Sequence, residues 1–143
     1  MTDKELKARA EITTSEEKLA ILRRHYALNG AGNHAEAREL LTEDFVITIP
    51  SFMPFGGTYR GKDAFLELIP LVRQAAKVEG LTFVATSVGD DHAVEIVEFV
   101  LAGHEGPPPQ IAELIRFRGH LICEIRPFYS DPFPFMAAAK RQP

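Results

Sequence analysis

Ala112-Glu-Leu-Ile-Arg-Phe-Arg-Gly-His-Leu-Ile-Cys-Glu-Ile-Arg-Pro-Phe-Tyr129, AELIRFRGHLICEIRPFY, alternates apolar and polar residues on both sides of Arg118-Gly119-His120. Two runs of period two joined by a tight, glycine-bearing turn predict an antiparallel hairpin. Strand parity then assigns faces: Ile111, Glu113, Ile115 and Phe117 share one, while Arg116 and Arg118 fall on the other, which reads as solvated. Glu124 and Arg126 on the second run read as a surface ion pair.

Working towards the N-terminus, two more period-two runs cover residues 81–88 and 92–101. They are separated by Gly-Asp-Asp, and Gly-His-Glu-Gly-Pro-Pro-Pro leads on to the hairpin, so the connections are short enough for an antiparallel meander. Residues 62–78 carry helical spacing at Phe65, Leu68, Ile69, Val72 and Ala76, with a break expected near Pro70. Thr14-Ser-Glu-Glu17 has capping-box form and starts a helix whose buried face would hold Leu19, Leu22 and Tyr26. Asn29-Gly-Ala-Gly32 stops it, and Asn33 caps a short second helix running to about Leu41. A strand is expected from about Asp44 to Ile49, ending at Pro50. Helices followed by a meander give an α+β layer with helices on one side of a curved antiparallel sheet. Residues 1–13 read as a charged N-terminal extension, and the tail at 130–143 either packs on the sheet or joins an interface.

A chain of 143 residues, 45% hydrophobic and 25% charged, fits one globular domain. Its net charge of -4 and scattered Lys and Arg lack the basic stripe of a nucleic-acid binder. No stretch approaches the ~20 apolar residues of a membrane span, and the charged N-terminus has no apolar signal core. The single Cys123, in an apolar run, reads as a buried structural thiol in a reducing compartment, so a cytoplasmic location is expected. Nucleotide loops, a nucleophile elbow and metal-ligand spacings are not found, so neither a cofactor nor a metal is expected.

Chemistry is concentrated in two carboxylates. Glu113 sits in the row described above, and Glu95 shares a face with Ala93, Val97, Phe99 and Leu101. A lone carboxylate in an apolar row has its charged form disfavoured, which raises its pKa toward the range useful for proton transfer. The alternative is that each lies at the sheet's rim, solvated or paired with an Arg. Among the histidines His25 is the best placed for catalysis. The loop Pro50-Ser-Phe-Met-Pro-Phe-Gly-Gly-Thr-Tyr-Arg-Gly61 carries Phe52, Met53, Phe55 and Tyr59, large side chains that either line or lid a cavity or cap the core.

These features in this order, together with Thr42-Glu-Asp-Phe-Val-Ile-Thr-Ile-Pro50 and the Gly57-Thr-Tyr-Arg-Gly61 turn, resemble the SnoaL-like polyketide cyclase and ketosteroid isomerase branch of the NTF2-like superfamily over about residues 15–132. The resemblance implies a cone-shaped α+β fold, a curved sheet wrapped around helices and a largely apolar pocket. It also implies a homodimer and a small hydrophobic ligand. Pocket residues would be Phe52, Met53, Phe55, Tyr59, Val97, Phe99, Ile115, Ile125 and Tyr129. Glu113 matches the family's enolate-stabilising acid and Tyr26 approximately its helix-borne tyrosine, with Glu95 as an assisting carboxylate. The position of the isomerase base holds Ile49, and the Arg-x-Asp pair of epoxide hydrolases of this fold is missing from residues 92–101. Two readings follow: a cofactor-independent acid/base enzyme on a small hydrophobic carbonyl compound, as isomerase, cyclase or dehydratase, or a non-catalytic ligand-binding or dimerisation module.

Overall fold

The computed structural model describes residues 2–3 and 13–141, so most of the expected N-terminal extension lies outside the described residues. The described elements run in chain order as α1 (Ser15–Gly30), α2 (His34–Ala37), a 3-10 turn (Arg38–Leu40), β1 (Leu41–Ile49), β2 (Gly57–Arg60), α3 (Ala64–Ala76), β3 (Val78–Val88), β4 (His92–Leu101), β5 (Gln110–Arg118), β6 (Leu121–Tyr129) and α4 (Phe133–Lys140). The strands form one curved, unclosed sheet in the order β2-β1-β6-β5-β4-β3. Each neighbouring pair is antiparallel except β1 and β6, which run parallel, so the class is α+β with a mixed sheet.

Helix α1 starts where the cap predicts: Thr14 Oγ1 accepts from the Glu17 N–H at 3.1 Å and donates to Glu17 Oε1 at 3.0 Å. Its buried line differs from the expected one, running through Lys18, Leu22 and His25, while Leu19 is exposed. Lys18 fits there because its Nζ donates to the Thr13 carbonyl at 2.5 Å, leaving its aliphatic stem to pack.

Two further expectations are corrected. Helix α3 runs without a break through Pro70, because Pro70 and Leu66, whose carbonyl the missing N–H would have engaged, lie on the solvated side. Its end is set by Lys77, a left-handed residue with φ 56° whose Nζ donates to the Gln74 carbonyl at 2.8 Å, satisfying one of the helix's free acceptors. Residues 57–60, read as a turn, form strand β2 paired with β1 from Val46–Arg60 to Ile49–Gly57. The intervening loop folds as two successive tight turns, Met53 N–H to Pro50 O and Gly56 N–H to Met53 O. Gly56 is required there, since a Cβ would lie 2.3 Å from the Pro50 carbonyl oxygen. The tail forms helix α4, and its Phe135 is buried against Phe55, Phe99 and Tyr129.

The core lies between the concave face of the sheet and helices α1, α3 and α4, with Leu22, Phe45, Leu68, Val97, Ile115, Ile125 and Phe135 in it. Among the described residues no helix is long and apolar enough to cross a membrane.

Candidate active site

The concave side is not filled completely. A cavity of about 470 Å³ lies between α1, α3, α4 and the sheet. Seven aromatic rings contribute to its wall, from Tyr26, Phe55, Phe65, Phe83, Phe99, Tyr129 and Phe135, along with Ile47, Ile49, Leu68, Val72, Ile111 and Ile125. Its exposed lining residues, Ala27, Gly30, Arg73, Glu79, Gly80, Leu81 and Phe83, put the mouth between the ends of α1 and α3 and the start of β3. That is the size and character of a small-molecule site: mostly apolar, with a few polar groups facing inward.

Glu113 is the carboxylate on the inner wall, away from Glu79 at the mouth. Inward parity on β5 places it between Ile111 and Ile115, and its neighbours in register are Glu95 on β4 and Pro127 on β6. Burial away from bulk water pushes its pKa from 4.5 up to about 7; the Tyr26 hydroxyl pulls it down, and the charge of Glu95 raises it further. Tyr26 Oη is itself buried and forms no hydrogen bond of full geometry, so its influence on Glu113 is that of a nearby, imperfectly aligned donor. Burial, followed by the Glu113 charge, holds the phenol far above its ordinary pKa.

Glu95 has a different fate. It is fully buried, outside the cavity lining, paired with Arg23 Nη1 at 2.5 Å, and accepts a hydrogen bond from Thr86 Oγ1. Arg23 in turn donates to Thr86 at 2.8 Å and lies 4.2 Å above the Phe83 ring, whose edge-to-face contact with Tyr26 spans 5.1 Å. The open alternative for this residue, pairing with an Arg, is therefore the observed one, though at the core and not at the rim.

The remaining sequence-derived candidates divide. Phe55, Phe99, Ile125 and Tyr129 line the cavity. Met53, Tyr59, Val97 and Ile115 are buried in the core without reaching it, and Tyr59 Oη donates to the Phe55 carbonyl at 2.8 Å. Phe52 points to solvent with 57% of its surface exposed. The loop therefore supplies one ring to the inner wall, and the lid role expected of Phe52 and Met53 has no counterpart, because the mouth lies elsewhere. His25, on the wall beside Tyr26, is neutral: burial lowers its pKa to about 4, and its Nε2 lies 3.1 Å from Asn29 Nδ2. Among the described residues no group of three or more His, Cys, Asp or Glu could hold a metal.

Residues 22–125 match the SnoaL-like domain. The chain belongs to that family. Its fold is shared with Bal32a from a soil-derived mobile gene cassette, at 16% identity and TM-score 0.76 over 88% of this chain and 98% of that one. An NTF2-like protein of Burkholderia xenovorans LB400 aligns at 19% identity and TM-score 0.68, covering 89% and 98% of the two chains. A Kribbella flavida DSM 17836 protein provisionally assigned as a ketosteroid isomerase aligns at 16% identity and TM-score 0.66, covering 82% and 80%. No curated protein matches. SnoaL-like membership fixes the NTF2-like scaffold, a family that includes isomerases and cyclases, and leaves the chemistry to the residues on the cavity wall.

Proposed function

We propose that this SnoaL-like protein is an acid/base enzyme, working without a cofactor, on a small hydrophobic carbonyl compound. One observation carries the reading: a carboxyl group with a pKa of about 7 on the inner wall of a mostly apolar cavity. Near neutral pH that group is divided between its acid and base forms, so it can give a proton to a carbonyl oxygen or accept one from the neighbouring carbon. In its acid form it polarises a carbonyl as the protonated carboxyl of ketosteroid isomerase does. Tyr26 acts through Glu113, acidifying it, since its own oxygen is buried. Glu95, tied to Arg23 and Thr86, supplies a fixed charge behind Glu113. Ile49 lines the cavity where an isomerase would carry its base, which favours steps needing one acid/base group, such as aldol closure or dehydration, over a two-carboxylate proton shuttle.

The test joins titration to turnover. The Glu113 carboxyl is followed by infrared or NMR across pH 4–9, and hydrogen–deuterium exchange beside the carbonyl of aromatic ketone probes is measured in wild type and Glu113→Gln. A titration near 7 and an exchange rate lowered about 10²- to 10⁴-fold are expected. A carboxyl titrating near 4.5, or exchange undiminished in the variant, would overturn the reading.

Ile49 also supports a second reading, in which the cavity binds an apolar molecule without converting it. A thermal-shift screen with steroids, aromatic polyketides and terpenoids separates the two: stabilisation with no chemical change in the ligand over hours favours the binding module. We further propose a homodimer formed through the convex face of the sheet, where Phe128 and Val100 remain 54% and 42% exposed beside half-buried Ile96 and Leu114. Sedimentation of a monomer that Phe128→Glu leaves unchanged would sink it.

A further inference from the structure

The cavity wall carries two tyrosines near Glu113, and they are not equivalent. Tyr26 Oη is enclosed by protein. Tyr129, near the end of β6, faces inward with Ile125 and Pro127 and pairs in register with Ile111, which makes Glu113 its diagonal neighbour on the adjoining strand. Diagonal neighbours on one face lie about 7–8 Å apart, within the reach of a tyrosine and a glutamate converging on one atom. The Tyr129 ring is held edge-on by Phe135 at 5.3 Å. Its hydroxyl forms no hydrogen bond with the described residues and, unlike that of Tyr26, is not fully buried, on a side chain that lines the cavity. A buried-ring tyrosine normally finds a partner for its O–H, so a rigidly held, unpartnered hydroxyl facing a cavity is a donor waiting for a ligand.

We infer that Tyr129 donates a hydrogen bond to the same substrate oxygen that Glu113 addresses, making Tyr129, and not the helix-borne Tyr26, the second ligand-contacting donor of the site. The inference rests on the acid role proposed for Glu113 and narrows the substrate. Its carbonyl lies at one end, between β5 and β6, and its apolar body extends past Leu68 and Val72 of α3 toward the mouth. Burial and the nearby Glu113 charge keep the Tyr129 phenol above its ordinary pKa, so it stays a donor at any pH at which Glu113 titrates.

The experiment uses the full chain saturated with 2-acetylnaphthalene labelled with carbon-13 at the carbonyl, whose resonance moves downfield as hydrogen bonds to the oxygen strengthen. Tyr129→Phe is expected to move the bound resonance upfield and to weaken binding by up to about tenfold. Tyr26→Phe should move it less. A resonance unmoved in Tyr129→Phe would overturn the inference. Glu113→Leu separates it from the parent reading: a carbonyl that responds to Tyr129→Phe but not to Glu113→Leu keeps the Tyr129 contact and refutes the acid. A response to Glu113→Leu alone does the reverse.

Discussion

Glu95 and Glu113 are cross-strand partners on neighbouring strands, each the lone carboxylate in a row of apolar side chains, and the fold treats them oppositely. Glu95 is sealed in the core with Arg23 and Thr86 around it, whereas Glu113 faces the cavity with only an imperfectly aligned tyrosine. Two like charges directly opposite one another in a sheet are mutually destabilising. The conflict is resolved by neutralising one with a guanidinium and leaving the other to bind a proton. A buried carboxylate becomes chemically useful by what it lacks, since full pairing fixes the charge and leaves nothing to exchange.

Removing the partner of the paired carboxylate should have the largest effect on stability. Arg23→Ala leaves Glu95 buried without a cation, which costs 3–5 kcal/mol for fully buried pairs; with 40% of the Arg23 side chain exposed, about 2–3 kcal/mol is expected from urea midpoints. Arg23→Ala with Glu95→Leu should recover most of that loss, because the stranded charge is gone. No recovery in the double variant would mean that the contact of Arg23 with Phe83, and not the ion pair, is what holds this corner.

The next effect lies in the pH dependence of folding. Glu113 has a folded pKa of about 7 against 4.5, so it binds protons in the native state that the unfolded state releases, and its contribution falls as pH rises through 4.5–7. His25 is shifted the other way, to about 4 from 6.5, so its contribution rises across 4–6.5. Over the shared window the slopes oppose, and the wild-type profile should be nearly flat from about pH 4.5 to 6.5 in what these two groups contribute. In Glu113→Gln the His25 slope stands alone, and stability should climb by up to about 3 kcal/mol between pH 4 and 6.5. A flat profile in that variant would show that His25 is not held neutral by burial.

Much of this was legible in the sequence, and the misses have physical reasons. Period-two runs located β4, β5 and β6 within a residue, and parity put Glu95 and Glu113 each in an apolar row, because alternation on a half-buried sheet is a strong signal. Strand β2 was hidden by the Pro and Gly of its loop and by having four residues, and the exposed flank of Pro70 that spares α3 from a break is a tertiary fact. What separates the two carboxylates was not legible, since Arg23 lies 72 positions from Glu95 and meets it only when α1 crosses the sheet. Phe52 and Phe55 show the same limit: two similar rings three residues apart, one in solvent and one in the cavity wall, divided by where a pair of tight turns points them.

The smallest effect concerns how far Glu95 acts on Glu113 through space. Its charge raises the Glu113 pKa, ranking behind burial and the opposing pull of Tyr26. Arg23 screens that charge at 2.5 Å without cancelling it at the next strand. Glu95→Gln keeps the shape and the hydrogen bond to Thr86 while removing the charge, so the Glu113 titration should move down from about 7 while remaining well above 4.5, because burial is untouched. The acid limb of the turnover profile should move with it, and Arg23→Gln, which unmasks Glu95 instead, should move both the opposite way. If Glu95→Gln leaves the Glu113 titration in place, the paired carboxylate is structural only, and the pKa of its neighbour is set by burial and the opposing pull of Tyr26.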